Sequence, residues 1–145
     1  MIGYEHTQRS YLLHWLVVPM LVVVVGSVLL AGVALWVCLL VAVHVVAFAW
    51  LIATFSMLTV LIDGDQIRVY FGRGWPRKTI LRSAVASIRQ VRNRWWYGLG
   101  IIRWIARGAL WNVWGLDAVE LELKSGRIFR IGTDDAGGLV AALAV

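Results

Sequence analysis

Two hydrophobic patterns follow one another along the chain. From Tyr11 to Ile62 no Asp, Glu, Lys or Arg occurs. Beyond Ile62, apolar and polar residues mostly alternate, the period of a half-buried strand. A helix that crosses a bilayer needs about 20 apolar residues, and the stretch from Tyr11 to Ser56 is roughly twice that long. Its one break is Ala31-Gly32. The pattern predicts a transmembrane hairpin over residues 11–54, with helices at about 11–30 and 33–54. A cleavable signal peptide fits less well, because the apolar core is too long and a second span follows at once.

The alternating part predicts seven strands: Phe55–Ile62, Gln66–Gly72, Arg77–Ile80, Val85–Arg94, Ala109–Val113, Asp117–Leu123 and Arg127–Ile131. Asp63-Gly64-Asp65 is a tight turn, and Gly74-Trp75-Pro76 breaks the chain. The register of the last hairpin follows from chemistry. A two-residue loop would set Arg130 opposite Leu121 on the buried face, which leaves a charge without a partner. A three-residue loop, Lys124-Ser125-Gly126, pairs Leu121 with Phe129 and Val119 with Ile131 inside. It puts Glu120 opposite Arg130 on the outside, an exposed ion pair.

A short helix closes the chain. Thr133 is the expected N-cap, with Asp134 and Asp135 in the first turn. Ala136, Leu139, Val140 and Leu143 make its apolar face. Gly137 and Gly138 are poor helix formers, so the helix depends on packing.

Charge adds orientation. Only Arg9 and Glu5 precede the apolar run and they cancel, so the net charge of +6 lies after it. Arg68, Arg73, Arg77, Lys78 and Arg82 follow the second helix, while the turn between the helices is uncharged. The positive-inside rule then places both termini in the cytoplasm. The domains expected are a cytoplasmic segment 1–10, the hairpin 11–54, and a cytoplasmic domain 55–145. Trp15 and Trp50 fall at the headgroup level of the hairpin. His44 lies near the midplane, level with Pro19, which frees the carbonyl of Trp15. An interhelical polar contact from His44 is expected there.

At this point the residues resemble a known group. The stretches "YGLGIIR" and "WNVWGLDAVELELKSGRIFRIGTDD", with the helix after them, are similar to small bacterial two-span membrane proteins with a pleckstrin-homology-like (PH-like) domain. The resemblance covers nearly the whole chain. It implies a seven-stranded antiparallel bent barrel capped by a C-terminal α-helix, in the bacterial cytoplasmic (inner) membrane. It implies no reaction. Gly98-Leu99-Gly100-Ile101-Ile102-Arg103 places its arginine one residue later than the group's G-x-G-I-R spacing, so no role passes to Arg103 by resemblance.

Enzyme signatures are absent, and no catalytic, cofactor or metal site is expected. The "GRG" at 72–74 lacks the Gly-Lys-Ser/Thr of a phosphate loop. His6, His14 and His44 lack ligand spacing, and the lone Cys38 lies inside the apolar run. Arginine and tryptophan together suit single-stranded nucleic acid, but juxtamembrane arginines are explained as well by topology and anionic lipid. A phosphoinositide site of the usual PH type would use the first hairpin loop, where Asp63 and Asp65 would repel phosphate.

The segment "WWYGLGIIRWIARGALW", residues 95–111, carries the functional expectation. Trp95, Trp96 and Trp111 should fill the barrel, with Gly98, Gly100 and Gly108 turning the chain. Ile101, Ile102, Arg103, Trp104 and Arg107 should project toward a partner or the bilayer, since Trp and Arg are enriched at binding hot spots. The expectation is a non-enzymatic accessory or assembly subunit whose PH-like domain binds another membrane protein at the membrane surface. The alternative is a sensor or scaffold in which the same loop binds anionic lipid headgroups.

Overall fold

The computed structural model describes residues 2–97 and 102–144. The chain opens with β1 (Ile2–Arg9), then two apolar helices, α1 (Leu12–Leu30) and α2 (Leu35–Phe55). β2 (Met57–Asp63), β3 (Gln66–Phe71) and β4 (Arg77–Leu81) follow. A 3-10 turn at Arg82–Ala84 leads to β5 (Val85–Arg92). Next come β6 (Ile102–Ile105), β7 (Gly108–Trp111), β8 (Asp117–Leu123), β9 (Ile128–Gly132) and α3 (Ala136–Ala144).

The α1–α2 turn falls at Ala31 and Gly32, as the break in the apolar run predicts. Among the described residues, α2 is the one helix long and apolar enough, by length and composition, to cross a membrane. Both helices expose large apolar side chains over much of their length, among them Leu16, Val22, Leu39 and Val46. No linker separates the helices from the sheet. The β1–β2 ladder ends at Arg9 opposite Met57, and Ser10 N–H then donates to the Ser56 carbonyl at 2.8 Å. The helix pair therefore grows out of a strand pair.

All seven expected strands are present, but they do not form one antiparallel barrel. Among the described residues two more strands occur, β1 and β6, and the nine make two open sheets. The first sheet has the order β1-β2-β3-β4 and the second β5-β8-β9-β7-β6. β7 runs parallel to β9, because the β8–β9 hairpin inserts beside it. That pair is tight. A Cβ on Gly108 would lie 1.6 Å from the Ile128 carbonyl oxygen, so only glycine fits. Within the expected segment 1–10, Ile2–Arg9 forms β1, an edge strand of the first sheet.

The sheets pack face to face. Leu58, Val60, Ile67, Val69 and Phe71 from the first meet Trp111, Val119, Leu121, Phe129 and Ile131 from the second. Rings run from the end of α2 into this core: Phe55 to Phe71 at 5.3 Å, Phe71 to Trp111 at 5.3 Å, and Trp111 to Phe129 at 5.5 Å. α3 adds Ala136, Leu139 and Leu143 to the same core.

The last hairpin has the register derived from sequence. Leu121 faces Phe129, Val119 faces Ile131, and Glu120 faces Arg130. Gly126 takes φ 77° in the loop. The exposure expected of Glu120 does not hold, since the residue is 4% exposed. The α3 cap also moves. Thr133 Oγ1 accepts from Asp135 N–H at 3.1 Å, and this small turn presents Asp135 as the cap, its Oδ1 accepting from Gly138 N–H at 3.0 Å. A Cβ on Gly138 would meet that carboxylate at 2.1 Å, which explains a glycine in a helix.

Candidate interaction surface

Residues opposite one another in a sheet share a face. In the second sheet one such row takes a residue from every strand: Arg89, Glu120, Arg130, Leu110 and Arg103. It lies on the face away from the first sheet, yet Glu120 and Leu110 are buried. The reason is topological. β5 and β6 are the two opposite edges of this sheet. The connection between them spans four strand spacings, roughly 19 Å. Its described part lies over this row. Asn93 Oδ1 accepts from Arg130 Nη1 at 2.9 Å, and the Arg103 guanidinium stands 5.2 Å from the Tyr97 ring.

Under this strap Glu120 accepts from Arg89 Nη2 at 2.6 Å and from Arg130 through both Nε and Nη2. Burial disfavours the carboxylate, but the hydrogen bonds from Arg130 and Arg89 outweigh it and hold the group below its ordinary pKa. Each oxygen of the carboxylate is thus held by an arginine.

The strap also reverses part of the expected division of tryptophans. Trp111 is core, at 8% exposed, as expected. Trp95 is 68% exposed and Trp96 39%, so neither fills the interior. They sit on a 3-10 turn, edge-to-face at 5.5 Å, with Arg94 stacked 5.3 Å over Trp96. Nothing within a loop between two strands signals that residues 93–97 lie over a sheet formed by other segments.

The expected contact residues divide in a similar way. Ile101 lies outside the described residues, as do Gly98 and Gly100. Residues 102–111 are not a loop but a hairpin, β6–β7, turned at Ala106 and Arg107, where Arg107 takes φ 66°. Ile102 faces Trp111 and Trp104 faces Ala109, so both side chains extend the core-side face of the sheet. β6 is its outermost strand, and there Trp104 is 81% exposed and Ile102 41%. Arg103 points the other way, into the row beneath the strap, and is half-buried. The exposed contact set is therefore Ile102, Trp104 and Arg107, with Arg103 tied to Tyr97.

His44 does not reach α1. Its Nδ1 is 2.7 Å from the Leu40 carbonyl, one turn back in its own helix, and the residue is exposed. The interhelical contact is thus replaced by a local one, and the ring lies on an outer face of α2. His6 pairs with Asp134, and Tyr4 Oη donates to Asp135 at 3.0 Å, which ties β1 to the start of α3. Burial first, and then the bond to Asp135, raise the Tyr4 phenol above its ordinary pKa.

Sequence reasoning missed one further cluster. Gly74-Trp75-Pro76 reads only as a break, yet Trp75 lies 6.1 Å from Trp50 of α2. The available signal was the interfacial tryptophan at the end of the apolar run. No protein-family model, curated protein or solved structure matches the chain.

Proposed function

We propose that this is a two-span protein of the bacterial inner membrane, with both termini in the cytoplasm. Its β domain, of the PH-like type, is a non-enzymatic interaction module that docks another membrane protein as an accessory or assembly subunit. The observation that carries this is Trp104. An indole 81% exposed on an edge strand, beside exposed Ile102, is costly to leave in water. An edge strand offers unpaired N–H and C=O groups to an incoming strand. Tryptophan there supplies the side-chain anchor. The direct attachment of the sheet to the helices supports a contact held at a fixed height above the bilayer.

Copurification of the full chain from native membranes in mild detergent tests the reading. Trp104→Ala is expected to lose a specific partner that the wild type retains, with the thermal melt unchanged. Equal recovery of every copurifying protein by both would remove β6 as the docking edge. Topology is tested in a Cys38→Ala background. A cysteine at Ala31 is expected to label only from outside, and a reporter after Val145 to be cytoplasmic. A periplasmic reporter would overturn the orientation.

A further inference from the structure

The first sheet carries a cluster of arginines at its helix end. At the helix end stand Arg9, Arg73 and Arg77, the last residue of β1, the β3–β4 turn and the first residue of β4. The far end carries both signs, Asp63 and Asp65 with Arg68 and Arg82, and Asp65 accepts from Ser83 N–H and Oγ at 3.2 Å each. About six residues of strand, roughly 20 Å, separate the two ends.

At the helix end the β3–β4 turn rests on the last turn of α2. Gly72 has φ 49°, and a Cβ there would lie 2.7 Å from the Thr54 carbonyl oxygen. Gly72 N–H donates to the Met57 carbonyl at 3.0 Å. This contact places Trp75 beside Trp50 and leaves a cleft of about 440 Å³, lined by Trp50, Ala53, Thr54, Arg73 and Trp75. Two tryptophans, a threonine and an arginine are among its lining residues, and no acidic residue is. Trp50 lies five residues before the end of α2 at Phe55, about 7.5 Å along the axis. With the end of α2 at the membrane surface, as the placement proposed above has it, that is the depth at which a headgroup gives way to acyl chains.

We infer that this cleft binds the headgroup of an anionic phospholipid. The Arg73 guanidinium meets the phosphate, and the indoles of Trp50 and Trp75 cover the glycerol and first acyl carbons. The carbonyl end of α2 is itself negative and disfavours an anion. Arg73, with Arg77 at the start of the adjoining β4, offsets that sign locally. The inference rests on the membrane placement proposed above, and is independent of the Trp104 edge.

The test uses the full-length protein, delipidated in mild detergent, with native mass spectrometry as the readout. The probes are dioleoyl phosphatidylglycerol and phosphatidylcholine of the same chains. Wild type is expected to retain one phosphatidylglycerol about fivefold better than phosphatidylcholine, the factor of one cation at an anionic surface. Arg73→Ala and Arg73→Gln should abolish that preference, while Arg127→Ala, at the exposed hairpin end, should keep it. Thermal melts show that the variants fold. Equal retention of the two lipids by wild type, or an unchanged preference in both Arg73 variants, overturns the site. So does displacement of the lipid by millimolar inorganic phosphate, which would make it a free-phosphate site. Resistance to carbonate extraction separates the two readings. A protein that resists extraction but lacks the preference loses the cleft alone, and one that is extracted loses the membrane placement with it.

Discussion

Arg130 grips Glu120 from the adjacent strand with two nitrogens, Nε and Nη2, on a face of the second sheet that the Asn93–Tyr97 strap covers. The pair is directly opposite in register, with Glu120 4% and Arg130 20% exposed. Removing one partner of a buried pair strands the other. Glu120→Ala should therefore cost about 3 kcal/mol, the low end for a buried pair, because Arg130 keeps some contact with water. Arg89 is 61% exposed, so Arg89→Ala should cost at most about 1 kcal/mol. Chemical denaturation of the three proteins in one detergent checks the order.

The same carboxylate sets an acid limit. Its folded-state pKa is lowered, so its contribution is present above the ordinary Glu value, about 4.3, and is lost as the pH falls through the folded value. Below about pH 4 wild type should lose stability more steeply with pH than Glu120→Gln. Tyr4 works in the opposite direction. Its pKa is raised, so its contribution is present below the ordinary phenol value, about 10, and is lost as the pH rises beyond it. Tyr4→Phe should cost about 1 kcal/mol at neutral pH, one hydrogen bond, and flatten the alkaline side. Melting temperature against pH reads both.

The tryptophans should separate sharply. Trp111→Ala should cost about 3–5 kcal/mol as a buried aromatic. Trp95→Ala and Trp104→Ala should each stay within roughly 0.5 kcal/mol, since both indoles are largely in solvent. A large loss from Trp95→Ala, measured by the same denaturation, would mean that its ring is needed to hold the strap.

Gly108→Ala should be among the most damaging single substitutions. Its Cβ would overlap the Ile128 carbonyl at 1.6 Å, so β7 and β9 must separate. The expected cost is at or above the upper end of the ~1–3 kcal/mol of ordinary overpacking. Hydrogen exchange should show the loss first in residues 108–111 and 128–131.

Much of this fold is local and was legible for that reason. The apolar run, its break at Gly32, seven strands and the closing helix follow from patterns within a few residues. The register of β8 and β9 followed as well, because a one-residue slip would have buried Arg130 against Leu121. In the candidate site, Trp104 was legible by residue type and by its distance from the expected strands. β1 was not, because its ladder partner lies about fifty residues away across both helices, and its alternation is polar.

What the sequence determined by itself is therefore the order of the two apolar helices, seven of the strands and the closing helix, the pairing inside one hairpin, and the concentration of aromatics and arginines in two places. What only the tertiary structure decided is which neighbours those elements take. Strand order put β5 and β6 at opposite edges, so the segment between them had to cross a face. That crossing buried Glu120, which the hairpin alone would leave in water, and left Trp95 outside, which composition alone would place within. The β3–β4 turn met α2 for a similar reason. A side chain's pattern says which face it shares, but only the packing of distant segments says what covers that face.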